Sequence, residues 1–274
     1  MKDHVEYVEQ LARGFREARA IDAPGPAEDL PPLPSGAATV LLFSPHPDDE
    51  CIVGGLPLRL RREAGMRIVN VPMTLGTDAG RRQERRRELT AAVDFLGFEL
   101  RYESQITTAE DDEVVDALAR LLVEQSPVAV FFPHERDGHP AHVRTHRLVM
   151  AALGRSGART TCAVVETEYW LPMSEPPPNL LVESSPRDVA RLVAATSLHR
   201  GEVSRNPYHL RLPAWMMDNV RRSEVLLGKG SRVPDFVFAT LYRLRGWRNG
   251  RIVEPAAGAR RVVGASEDVR SLVC

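Results

Sequence analysis

Val40-Leu41-Leu42-Phe43-Ser44-Pro45-His46-Pro47-Asp48-Asp49-Glu50 joins an unbroken apolar run to a turn made of imidazole, prolines and carboxylates. An apolar run without alternation, stopped by proline, reads as a strand buried on both faces, the kind found inside a parallel sheet. The polar turn then sits at the carboxyl end of that strand, where open α/β sheets bind their ligands. This one stretch therefore predicts both the architecture and the place to look for chemistry.

Working outward, the periodicity alternates between helix and strand. Residues 50–64 read as a helix, 67–75 as a strand, 81–96 as a helix closed by Gly97, and 98–102 as a short strand. Next come a helix over 111–124, a strand over 128–132, a helix over 139–153 and a strand over 161–169. Such a succession predicts βαβ units and a doubly wound, mostly parallel α/β sheet with helices on both faces. Beyond it, 180–183 reads as a further strand and 187–199 and 213–224 as helices, with the rest of the C-terminal part irregular.

Upstream, Val5, Val8, Leu11 and Phe15 recur at helical spacing and predict an amphipathic helix over 4–20. Pro24, Pro26, Pro31, Pro32 and Pro34 follow, a linker unsuited to helix or central strand. The expected organisation is residues 1–36 as N-terminal helix and proline-rich linker, then a single domain over 37–274. Its core runs to about residue 200, and 201–274 form an extension.

Composition sets the class. With 274 residues, 43% hydrophobic and 27% charged, the chain is long enough for a sizeable core. A formal net charge of -1 argues against a nucleic-acid partner held by bulk electrostatics. The lysines are Lys2 and Lys229 alone, so arginine carries the positive charge, which codon bias explains without a recognition surface. Cys51, Cys162 and Cys274 are odd in number and far apart, unlike a disulfide framework. Neither a transmembrane-length apolar stretch nor a basic-then-apolar leader is visible, so no membrane and a cytoplasmic location are expected.

A second polar cluster, Gly138-His139-Pro140-Ala141-His142, follows the fourth strand. In a doubly wound sheet the first and fourth strands are neighbours, so both clusters open on one crevice, bordered also by Asp78 after the second strand. No Gly-x-Gly-x-x-Gly turn follows the first strand, which makes a dinucleotide-binding reading weak. His46 and Asp49 fall on one face of a first helical turn, and adding His142 gives two imidazoles and a carboxylate with room for water. That is the donor set of a catalytic zinc site. A divalent ion there activates water and polarises a carbonyl. Asp48 is then placed to accept a proton, and His139 to stabilise an oxyanion or donate to a leaving nitrogen. Taken singly, the Asp pair is a helix cap with a first-turn charge, and His134 and His146 are surface or supporting groups. Topology that gathers them favours a site.

These residues resemble the LmbE-like, or PIG-L, zinc-dependent N-deacetylases, whose motifs are similar to His46-Pro47-Asp48-Asp49-Glu50 and to Gly138-His139-Pro140-Ala141-His142. Arg85-x-x-Glu88, Ala92 and Leu96-Gly97 extend the likeness over about residues 38–200. The resemblance implies a Rossmann-like fold, Zn2+ (with Fe2+ as an alternative) on His46, Asp49 and His142, Asp48 as general base and His139 as the oxyanion group. It implies contacts to substrate hydroxyls from Arg85, and Asp78 and Asp137 are expected to face the substrate too. The family's Asp is Ala141 here, and Asp137 or Glu135 is the candidate substitute for orienting His139. His199-Arg200-Gly201-Glu202 only partly matches the family's His-x-Ser-Gln.

The expected activity is removal of an N-acetyl group from an N-acetylglucosamine-type amino sugar or its small-molecule conjugate. The alternatives are a metal-binding sugar-recognition module without turnover and a non-haem iron oxygenase. The expected partner is a small amino-sugar substrate; a homo-oligomer stays open, with the N-terminal helix as its contact element.

Overall fold

The computed structural model describes residues 1–22, 24–103, 106, 110–255 and 260–273, so Cys274 lies outside the described residues. The polar loop of interest leaves the middle of a sheet. β1 (Thr39–Ser44) lies between β2 (Arg67–Pro72) and β4 (Ala129–Pro133), parallel to both, with Leu41 opposite Val69 on one side and Val130 on the other. β3 (Glu99–Leu100) extends one edge and β5 (Cys162–Thr167) continues the parallel part past β4.

The full strand order is β3-β2-β1-β4-β5-β7-β6-β9, in which β6 is Leu180–Glu183, β7 is Ala239–Arg248 and β9 is Arg261–Val263. β7 runs antiparallel to β5 and β6, and β8 (Arg251–Val253) folds back on it as a hairpin. The segment from 201 thus supplies a long regular strand to the same sheet, alongside the irregular stretches expected there.

Burial explains the unalternating run in β1. Leu41 and Phe43 pack with Val130, Phe132, Leu118, Leu122 and Val149, against α5 (Asp111–Gln125) and α6 (Pro140–Ser156). Val40 and Leu42 face the other way, toward Leu56, Leu60, Leu89, Val93 and Leu192. Those residues belong to α3 (Gly55–Arg62), α4 (Arg82–Leu96) and α7 (Pro186–Ser197). Full burial of each such side chain contributes about 1.5–3 kcal/mol, so both faces of β1 are held and its carboxyl end is a fixed platform.

Two expected elements change. The single helix over 50–64 is two, α2 (Asp49–Ile52) and α3, broken at Gly54 with φ 90°. Tyr242 of β7 causes the break: its hydroxyl accepts from the Leu56 amide at 3.2 Å and donates to the Val53 carbonyl at 2.9 Å. A Cβ on Gly54 would lie 2.5 Å from that hydroxyl oxygen and from Thr240, so only glycine fits. The N-terminal helix forms as α1 (Lys2–Ala18), yet none of its residues is buried, and the Arg211 guanidinium lies over the half-buried Phe15 ring, 4.9 Å from its centroid. Among the described residues no helix is long and apolar enough to cross a membrane.

Candidate active site

Past Ser44 the chain turns through Pro45 and Pro47, which forbid continuation of the strand, and α2 begins at Asp49. Across the β1–β4 boundary, His139 caps α6 and Pro140 takes the first helical position, so His142 projects from the first turn toward β1. The two loops meet as expected of neighbouring parallel strands.

Three donors converge. His46 Nδ1 is 3.3 Å from Asp49 Oδ2, His142 Nε2 is 3.4 Å from the same oxygen, and the two nitrogens are 3.2 Å apart. Ligands about 2.0–2.1 Å from a tetrahedral ion stand about 3.3 Å from one another, so this triangle fits a divalent ion. The Asp137 carboxylate supports the fit: its Oδ1 lies 3.4 Å from His142 Nδ1, favouring a proton on that nitrogen and leaving the Nε2 lone pair for the centre. His139 also brings a ring nitrogen within 4.8 Å of His46 and His142.

Asp137 was expected to face the substrate, and its position corrects that. It is buried, and beyond its 3.4 Å approach to His142 Nδ1 it accepts from the amides of Tyr169 and Trp170, both at 3.1 Å, and from the His139 amide at 3.3 Å. Burial alone would raise its pKa, but these donors, His142 foremost, hold it below the usual carboxylate value. Its acceptor capacity is spent inside the protein. Nor does it orient the His139 ring, whose Nδ1 accepts from the Ala141 amide at 3.2 Å. The proton of a neutral His139 is then on Nε2, with the ring stacked on Trp170, centroids 6.1 Å apart. Burial, then the neighbouring His46 and His142, lower its pKa.

Asp48 sits beside the triangle, partly open to the crevice, with φ 122° and ψ -27°. A non-glycine residue there is strained by about 1–3 kcal/mol and needs surroundings that hold it. The Asp48 amide donates to Glu50 Oε2 at 2.9 Å, and the Cys51 amide donates to the Asp48 carbonyl at 2.9 Å. Burial first, and then the adjacent Asp49, raise the Asp48 pKa to about 7, against the opposing pull of His199 and Tyr208.

Several contributors escaped the sequence reading. Glu50, quoted in the motif without a role, is wholly buried, with Oε1 2.6 Å from His199 Nε2 and 3.2 Å from Cys51 Sγ. The Glu50–His199 separation is a hydrogen bond too short to hold an ion between the two, and burial pushes the Cys51 thiol well up, so this trio reads as a brace behind Asp48. A charged residue in the apolar context Cys51-Ile52-Val53 was the available signal. Glu202 accepts from Arg85 and Arg81, and Arg85 also donates to the Leu75 carbonyl at 3.1 Å. Arg85 is therefore anchored at the crevice wall, so close to Gly76 that a Cβ there would lie 2.1 Å from Nη1. Asp78 is exposed, with Oδ1 accepting from the Gly80 amide at 2.9 Å. His134 is tied to the Leu171 carbonyl at 2.9 Å and His146 to the Pro133 carbonyl at 3.0 Å, which makes both supports of the loop.

Residues 41–153 match the family model described as PIG-L, GlcNAc-PI de-N-acetylase. A 1D-myo-inositol 2-acetamido-2-deoxy-alpha-D-glucopyranoside deacetylase of Mycobacterium leprae is 28% identical over 168 residues, covering 47% of this chain and 54% of that protein. The chain thus spans about half the length of the curated relatives it matches. Among solved structures, the N,N'-diacetylchitobiose deacetylase of Pyrococcus horikoshii is similar with a TM-score of 0.58 at 20% identity, over 89% of this chain and 93% of that one. The 4-carboxy-2-hydroxymuconate hydratase of Pseudomonas putida has a TM-score of 0.59 at 18% identity, over 76% and 95%. At such identities the two structures share the fold, and their different reactions leave the chemistry to the site.

Proposed function

We propose that this chain, whose residues 41–153 match the PIG-L family model, is a metal-dependent amidohydrolase that removes the N-acetyl group from an N-acetylglucosamine-type amino sugar or its small-molecule conjugate. The observation that carries the reading is the donor triangle of His46, Asp49 and His142, with separations of 3.2, 3.3 and 3.4 Å, beside the strained Asp48. Those three residues would hold the ion, taken as zinc with Fe2+ as the alternative. When bound, such an ion supplies Lewis acidity, polarising an amide carbonyl and lowering the pKa of water toward about 7.

The remaining steps fall to the protein. Asp48 accepts the proton of the attacking water on a carboxylate oxygen, and burial that disfavours its ionised form makes that proton easy to hold and to pass on. His139, its Nδ1 occupied by the Ala141 amide, presents Nε2–H to the oxygen that gains charge or to the departing nitrogen. Asp137 keeps the His142 ring in the tautomer that aims Nε2 at the centre. Arg85, fixed by Glu202, and Asp78 at the rim are the groups we assign to the sugar hydroxyls.

The test is acetate release by metal-loaded protein across acetylated sugars, pseudo-disaccharides and acetyl-lysine peptides. Turnover of an amino sugar is expected, with loss of a hydroxyl costing more than a methylene change in the aglycone, because unpaired polar groups in the site are penalised. Preference for the peptide would overturn the substrate class. Metal binding with no turnover of any substrate would favour the recognition-module reading, which the absence of a carboxylate at Ala141 keeps in play.

A further inference from the structure

We propose that Tyr208, from a segment outside the family-matched residues 41–153, is a positioning residue that sets the orientation of the Asp48 carboxylate. The inference rests on the assignment of Asp48 as proton acceptor made above.

Tyr208 opens the short 3-10 turn Tyr208–Arg211, which leads into α9 (Leu212–Arg221). Its hydroxyl donates to Asp48 Oδ2, a contact between residues 160 positions apart in the chain. An aspartate at a helix N-cap ordinarily folds its carboxylate back onto the first-turn amides. Asp48 is the N-cap of α2, yet its side chain makes no such bond. Tyr208 is what its carboxylate meets instead. The Glu50 carboxylate fixes the Asp48 amide from below at 2.9 Å, while Tyr208 draws the carboxylate off the helix end. One oxygen is thereby taken, and Oδ1 is left for water. Burial and then the charge of Asp48 push the Tyr208 phenol far above its ordinary pKa, so it stays protonated and can only donate. An orienting group of this kind leaves substrate binding alone and acts on the chemical step, where small misplacements are costly.

Tyr208→Phe is the variant to make. It should lower kcat by ~10–100-fold with KM nearly unchanged, while thermal stability holds or rises slightly because the freed carboxylate can cap α2. A merely structural tyrosine would instead lower the melting temperature. Combined with Asp48→Asn, Tyr208→Phe should add almost nothing, since both act through one group. A full additional loss in the double variant would overturn the proposal.

A second readout needs neither metal nor turnover. The chain has 5 tyrosines, so 3-fluorotyrosine labelling gives a small 19F spectrum in which the Tyr208 signal is the one missing from Tyr208→Phe. In metal-free protein that signal should move in Asp48→Asn, and a signal that stays put overturns the contact. The two hypotheses fail separately. Wild-type turnover with an equally active Tyr208→Phe sinks the role of Tyr208 and spares the deacetylase reading. A wild type that turns over no acetylated sugar sinks that reading, and the 19F shift then decides the contact alone.

Discussion

At the scale of single residues, the proposed site separates the candidate ligands from the groups that would orient them. His142→Ala removes one corner of the donor triangle, so divalent-ion content and activity should fall together, and full occupancy in the variant would displace His142 from the ligand set. Asp137→Asn leaves all three donors in place but weakens the pull on His142 Nδ1–H. Ion affinity should drop about 10–100-fold in a competition titration with a chromogenic chelator. Unchanged affinity would confine Asp137 to its amides at Tyr169 and Trp170. Asp48→Asn is nearly isosteric and should keep the ion while slowing turnover by about 100-fold or more. The ligand candidates were legible in the sequence because each cluster is local, His46 to Asp49 and His139 to His142, and each follows a strand. Asp137 was legible as a carboxylate near the site, but its direction was not, since only the folded loop shows which amides it faces.

At the scale of elements, the brace behind Asp48 joins α2 to the turn after α7. His199 is the N-cap of α8 (Arg200–Val203), wholly buried, and its Nε2 is 2.6 Å from Glu50 Oε1. Burial works against the protonated ring, but Glu50 first, and then Asp48 and Glu88, raise its pKa above the ordinary value. A raised folded pKa means the folded protein binds the proton more tightly than the unfolded chain does. The stabilisation is therefore complete below the unfolded histidine pKa of about 6.5 and fades as pH climbs through the folded value. His199→Gln breaks a buried pair and should cost about 3–5 kcal/mol at pH 6. Urea unfolding of metal-free protein at several pH values should show the gap to wild type narrowing toward pH 9. A gap that stays constant would mean the pair is neutral when folded. The partial motif His199-Arg200-Gly201-Glu202 was visible in the sequence, but its partners were not. Glu50 is 149 positions away from His199, and Arg85 is 117 from Glu202. Side-chain pairing at such separations leaves no periodic trace. The break at Gly54 was hidden for the same reason, because the hydroxyl that causes it belongs to Tyr242.

At the scale of the whole molecule, the parallel half of the sheet was readable because its strands are apolar on both faces, whereas β7 was not. Ala239–Arg248 carries Arg243 and Arg245, which hydropathy assigns to a surface; in the fold Arg245 reaches Glu166 at 2.9 Å and Arg243 reaches Glu254 at 3.1 Å. Charges neutralised in place let a polar sequence occupy the interior of a sheet. Arg59 applies the same device between distant parts of the chain. It is 1% exposed, and its guanidinium spans α3, the end of β6 and the residues after β9. Nε donates to Glu63 at 3.0 Å, Nη1 to the carbonyls of Glu183 at 3.2 Å and Gly264 at 3.1 Å, and Nη2 to those of Ala265 at 3.2 Å and Glu267 at 2.9 Å. All five donors of the fork are used, and a lysine, with three donors on one atom, cannot reproduce that spread. Arg59→Met fills much of the volume but takes a donor from four carbonyls, of which that of Gly264 keeps the Glu267 amide at 3.2 Å. Water can reach the exposed Ala265 and Glu267 backbone, so each hydrogen bond lost counts at its net value of about 0.5–1.5 kcal/mol, and the total loss should be about 2–3 kcal/mol. The chain beyond β9 should also become an early site of limited proteolysis, since Arg59 is what ties residues 264–267 to α3. A denaturant midpoint within error of wild type, with residues 264–273 still protected, would show that β9 alone secures the C-terminal part of the sheet.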